Sequence, residues 1–108
     1  EETQEVRFAI EVEDYETYGL KVIDEMTNFV NETNGFEIDA DNDEGIRVDV
    51  SEPFGMGWFL LRMSLHEPLL VLQVENDLKG YNKDVFTKLE TFFKQYEHLN
   101  LEKLQAVL

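Results

Sequence analysis

From Gly57 to Glu75 the chain runs apolar, turns within four residues and runs apolar again. The first run is Gly57-Trp58-Phe59-Leu60-Leu61-Arg62-Met63-Ser64, the turn Leu65-His66-Glu67-Pro68, and the second run Leu69-Leu70-Val71-Leu72-Gln73-Val74-Glu75. Four residues cannot carry a crossover, so the two runs pair antiparallel as a hairpin. That constraint commits the centre of the chain to a sheet. The second run has few polar positions, which predicts a central strand covered on at least one face. Two further segments alternate with period two. Val6, Phe8, Ile10 and Val12 point one way, with Arg7, Glu11 and Glu13 largely opposite. Ile46, Val48 and Val50 point one way, with Arg47 and Asp49 opposite. Both read as half-buried strands, the second over Gly45 to Val50.

Elsewhere the period changes to that of a helix. Leu20, Ile23, Met26 and Val30 recur over Tyr18 to Asn31, widened by Val22 and Phe29. Val85, Leu89, Phe92, Tyr96 and Leu99 recur over Asn82 to Leu99, with Phe86 and Phe93 beside them. Asn82 is the expected N-cap of the second helix. Gly35 suits a left-handed residue after the first. Turn-like breaks fall at 31–35, 41–45, 52–57 and 77–80. The expected order is β-α-β-β-β-α: a two-layer α+β domain, with an antiparallel sheet of about four strands and both helices on one face.

The 108 residues leave room for one domain. Twenty-four Asp and Glu against nine Lys and Arg give a formal charge of −15. That charge argues against nucleic acid and against an anionic membrane as partners. No apolar run approaches the roughly 20 residues of a membrane helix. Cysteine is absent, which excludes disulfides, thiolate catalysis and Cys-ligated zinc. The chain starts at Glu1 and so reads as a fragment or a processed product.

The segment richest in chemistry is Arg62-Met63-Ser64-Leu65-His66-Glu67-Pro68. Arg62 shares a strand face with Trp58, Leu60 and Ser64. A guanidinium there needs either a carboxylate, with Glu67 and Glu75 as candidates, or an anionic ligand. Its fork matches phosphate oxygens; Ser64 adds a hydroxyl, the turn adds backbone N–H groups and His66 adds a donor when protonated. Asp39-Ala40-Asp41-Asn42-Asp43 copies the start of a calcium loop. Glu44 stands where that loop needs Gly, and Val50 where it needs Glu, so an acidic turn is expected. Asn31-Glu32-Thr33 matches a glycosylation sequon by chance. His98 suits the dipole at a helix end. The aromatic residues Phe86, Phe92, Phe93 and Tyr96 read as core.

The stretch from Glu44 to Asn76 resembles the C-terminal domain, domain 4, of the α-D-phosphohexomutase superfamily: phosphoglucomutases, phosphomannomutases and phosphoglucosamine mutases. The resemblance rests on Glu44-Gly45-Ile46, Gly57-Trp58-Phe59-Leu60-Leu61-Arg62, Ser64, Glu67-Pro68 and Glu75. It implies a TATA-box-binding-protein-like fold and a loop that holds the phosphate not being transferred. Arg62 and Ser64 carry over directly. Leu65 and His66 stand where the family has Gly or Asn, then Thr; Leu65 still offers a backbone N–H, and His66 a ring N–H. It also implies that the phosphoserine, the magnesium site and the sugar-specificity loop belong to other domains of a longer cytoplasmic chain. This domain would then hold no catalytic residue, no metal and no cofactor, and its partners would be a phosphosugar and those other domains. The competing expectation is a non-catalytic interaction domain with the same fold and acidic surfaces for protein partners.

Overall fold

The computed structural model describes residues 1–39 and 45–108. The chain forms β1 (Glu2–Ala9), α1 (Tyr15–Asn31), β2 (Phe36–Ile38), β3 (Ile46–Val50), β4 (Gly57–Met63), β5 (Leu69–Asn76), α2 (Asn82–Phe93) and α3 (Glu102–Gln105). The five strands make one sheet in the order β1-β5-β4-β3-β2, antiparallel at every junction. The hairpin of β4 and β5 is its centre, as the four-residue turn requires.

Alternation along each strand sorts the side chains. Val6, Phe8, Ile46, Val48, Phe59, Leu61, Leu70, Leu72 and Val74 enter one core with Met26, Val30, Val85, Phe86, Leu89 and Phe93 of the helices. The helices therefore cover a single face. Trp58, Leu60, Arg62, Val71, Arg7 and Arg47 occupy alternate positions and project from the other face. All three arginines of the chain lie on this helix-free side.

Four details depart from the periodicity. Phe36–Ile38 forms a fifth strand, paired Phe36↔Val50 and Ile38↔Val48. Three residues are too few to show alternation, and Phe36 is recruited by stacking on Phe54 and Phe59. Leu20 does not belong to the buried stripe of α1 and is 60% exposed; the stripe is Gly19, Val22, Met26 and Val30. The reason is the close approach of helix to sheet at Gly19, where a Cβ would lie 2.1 Å from the Met63 sulfur. That contact sets the roll of the helix and turns Leu20 outward.

The second helix stops at Phe93 rather than Leu99. Tyr96 and Leu99 are still buried, but they are reached by successive turns, with Tyr96 N–H on Phe93 O and Leu99 N–H on Tyr96 O. The chain leaves the helix because its backbone is needed at the sheet edge. Leu99 bridges Ile10, and Asn100 N–H donates to Ala9 O at 2.9 Å, covering the end of edge strand β1. His98 therefore lies beyond the helix, edge-on to Tyr18 at 5.4 Å. Finally, Asn82 is not the N-cap, a position held by Tyr81. Asn82 is buried and donates from its amide side chain to Gln4 at 3.1 Å, tying α2 to β1.

Gly35 adopts φ +97°, the left-handed position expected after α1. Thr33 of the sequon is buried and donates its hydroxyl to Phe29 O at 2.7 Å, closing the end of that helix. The acidic turn expected at 39–43 lies, from residue 40 onward, outside the described residues.

Candidate functional site

Arg62 sits one residue before the end of β4, opposite Val71 of β5. Its position is fixed by the buried neighbours on either side. Leu61 is sealed in the core and Met63 packs against it, so Arg62 has to face away from the helices. Among the described residues it makes no ion pair. Its one hydrogen bond runs from an Nη to the Met63 carbonyl at 3.3 Å. Glu67 and Glu75, the two carboxylates expected to compete for it, do not pair with it. Glu75 lies four residues along β5 from Val71, opposite Thr3 and Trp58. Arg47 is engaged instead, with Nε 3.5 Å from an Asp39 oxygen and its guanidinium 4.4 Å above the Trp58 ring.

The turn continues the ladder for one residue and then opens. Ser64 N–H donates to Leu69 O at 2.9 Å, Leu69 N–H to Glu67 O at 2.7 Å, and Pro68 O accepts from Ile10 N–H at 2.8 Å. These bonds fasten both ends of the turn, one of them to β1. Between them the backbone N–H groups of Leu65, His66 and Glu67 have no acceptor among the described residues. Three consecutive donors on an exposed turn next to an unpaired guanidinium can receive an anion.

The expected site residues are brought to one end of the hairpin but not into one cavity. Ser64 and Leu65 line a depression of about 190 Å³ with Tyr15, Glu16, Leu20 and Met63, on the α1 side. Arg62 and His66 do not line it. Leu65 is 88% exposed. His66 is also exposed. Tyr15 and Leu20 were not anticipated as neighbours of the turn. Only the register of α1 on the sheet, set at Gly19, places them there.

A second polar cluster lies between the helices. The Tyr96 hydroxyl donates to a Glu25 oxygen, and Tyr96 packs edge-on to Tyr18 at 6.2 Å. Burial first, then the hydrogen bond to Glu25 and its negative charge, raise the Tyr96 pKa well above the ordinary value near 10. This is a structural contact, since it joins α1 to the segment after α2. Among the described residues no group of three His, Asp or Glu could hold a metal ion, and no helix is long and apolar enough to cross a membrane. No family model matches the chain, and no curated protein matches it.

Proposed function

We propose that this chain is the C-terminal, phosphate-anchoring domain of a phosphohexomutase. In this reading the β4–β5 turn holds the phosphate of a phosphosugar that is not being transferred. The observation that carries it is that, among the described residues, the Arg62 guanidinium has no carboxylate partner and the N–H groups of Leu65, His66 and Glu67, at the same end of the hairpin, have no acceptor. Arg62 supplies charge and a two-pronged fork, Ser64 a hydroxyl, the three amides fixed dipoles, and His66 a further donor when protonated. Holding the distal phosphate orients the sugar and excludes water for chemistry performed by other domains of a cytoplasmic enzyme. Those domains would supply the phosphoserine and magnesium, and also the long-range attraction that a charge of −15 denies this one.

The test is to titrate a hexose 1-phosphate into the wild type, Arg62→Ala and Arg62→Lys, reading affinity and melting temperature on the same samples. Millimolar binding by the wild type, loss in Arg62→Ala, partial rescue in Arg62→Lys and unchanged melting temperatures support the anchor. A lowered melting temperature with intact affinity refutes it. Turnover of the hexose phosphate by these 108 residues refutes the division of labour between domains.

One observation favours a second reading, a non-catalytic interaction domain. Leu65 and Leu20, 88% and 60% exposed, border the same depression and form an apolar lip beside the turn. Under that reading Leu65→Ser abolishes a protein contact and leaves phosphosugar affinity unchanged.

A further inference from the structure

Arg7 stands in the same cross-strand row as Arg62. The register pairs Arg7 with Val71 and Val71 with Arg62, so the three side chains project together from the helix-free face. One strand separates the two arginines, which places their Cα atoms about 10 Å apart, twice the strand spacing. Val71 between them is 3% exposed although α1 and α2 pack on the opposite face. Its cross-strand neighbours there are the two arginine stems, which blanket it. The guanidiniums are thus carried on flexible stems on either side of one small apolar residue, within reach of a shared ligand.

The partners of the three arginines differ. Arg47 is occupied by Asp39 and Trp58. Arg62 has no carboxylate partner among the described residues, only its bond to the Met63 carbonyl. Arg7 is bonded through Nε to Glu5 at 2.9 Å, with both side chains about half exposed at 53% and 44%. A pair so exposed is weak and its terminal nitrogens remain open. Arg7 also lines a cleft of about 230 Å³ with Ala9, Leu69 and Lys103, so it is accessible from the side of the β4–β5 turn. The turn itself is tied to β1 by the bond from Ile10 N–H to Pro68 O. That bond fixes the position of β1 relative to the turn.

We propose that Arg7 is the second guanidinium of the anion site, and that Arg7 and Arg62 together form a clamp across Val71 selective for dianionic phosphate monoesters. The inference rests on the reading of the β4–β5 turn as a phosphate anchor. Two cations facing one ligand favour a group carrying two charges over one carrying a single charge, as in a diester or carboxylate. Among the described residues, the other titratable groups near the row are Glu5, His66, Glu67, Glu102 and Lys103.

The test uses the 108-residue chain, with inorganic phosphate and sulfate as probes at fixed ionic strength, followed by the amide NMR shifts of residues 65–67. Arg7→Ala, Arg62→Ala and the double variant are titrated at pH 5.5 and pH 8. Each single substitution weakens sulfate binding about tenfold, and the double variant loses less than the product of the two, because the guanidiniums share one ligand. Arg7→Ala stays folded, with only a small drop in melting temperature, because the exposed pair with Glu5 contributes little and part of the cover over Val71 is lost. Phosphate gains its second charge between the two pH values, whereas sulfate is a dianion at both. The ratio of phosphate to sulfate affinity cancels protonation of His66 and of the protein. It rises with pH in the wild type and rises less in Arg7→Ala. If Arg62→Ala is weak and Arg7→Ala binds as the wild type, the anchor stands and the clamp is refuted. If the wild type binds neither anion in the millimolar range, both fall.

Discussion

Asn76, the last residue of β5, is fully buried, and its side chain bonds three backbone groups in two separate segments. Its oxygen accepts from Met56 N–H at 3.2 Å and Leu78 N–H at 3.0 Å, and its nitrogen donates to Phe54 O at 2.8 Å. Asn76 thereby fixes the 51–56 connection and the entry to α2 from one point. Asn76→Ala removes all three bonds. Each contributes a net ~0.5–1.5 kcal/mol, so the upper limit is about 4 kcal/mol. Met56 and Leu78 are exposed residues, so water can reach their amides once the side chain is gone. The expected loss is therefore about 2–3 kcal/mol, or roughly 10–20 °C in melting temperature for a domain of this size. Urea unfolding should show a lower midpoint with an unchanged slope, and hydrogen exchange should show lost protection at Met56 and Leu78 before the rest of β5. The β4–β5 turn lies at the opposite end of β5, so phosphate affinity should be preserved in the variant that remains folded. A loss under about 0.5 kcal/mol would refute the account of Asn76 as the anchor of these two segments.

Leu89 is fully buried between α2 and the sheet, and Leu89→Ala should cost about 2–5 kcal/mol in chemical denaturation. Gly45→Ala should be among the most damaging exposed-loop substitutions. Its Cβ would sit 2.3 Å from the Leu61 carbonyl and 3.0 Å from Arg62 Cβ, so a loss above about 2 kcal/mol and shifted Arg62 resonances are expected. For Tyr96, the folded protein holds the phenol proton more tightly than the unfolded chain does. Above about pH 10 the unfolded state therefore binds fewer protons, and stability should fall by up to about 1.4 kcal/mol per pH unit. Tyr96→Phe should flatten that alkaline slope while losing about 1 kcal/mol at neutral pH with its hydrogen bond to Glu25. An unchanged alkaline slope in the variant would remove Tyr96 as its source.

The two-layer architecture was legible because its signals are local. The four-residue turn at 65–68 forces β4 and β5 together, and alternation in Val6–Ile10 and Ile46–Val50 assigns their inner faces without knowledge of neighbours. Phe8, Ile46, Leu70 and Leu89 all prove buried for that reason. What periodicity could not report depends on one element meeting another. Leu20 satisfies the helical spacing, yet the approach at Gly19 rotates it into solvent. The pattern of Val85 to Leu99 persists through the end of α2 because turns and helix can bury the same residues. Asn82 has the chemistry of a cap, but Gln4 and Glu2 offer it partners on β1.

The site divides along the same line. Arg62, Ser64, Leu65 and His66 are contiguous, so their arrival at one hairpin end follows from the chain itself. That Arg62 pairs with neither Glu67 nor Glu75 is a tertiary fact. Glu75 shares its sheet face but lies four residues further along β5, beyond the reach of the fork. Arg7 is the sharper case. Alternation already places it on the outer face of β1, but its row is decided by the pairing of β1 with β5 across 64 positions of sequence. A shift of that register by two residues would set Glu5 or Ala9 beside Val71 and keep every inner residue inward. Core packing alone therefore does not select the cationic row. The added constraint is the bond from Ile10 N–H to Pro68 O, which aligns β1 with the turn that Arg62 precedes. The same contact that closes the sheet edge next to the turn thus also brings the chain's two arginines without an aromatic partner into register.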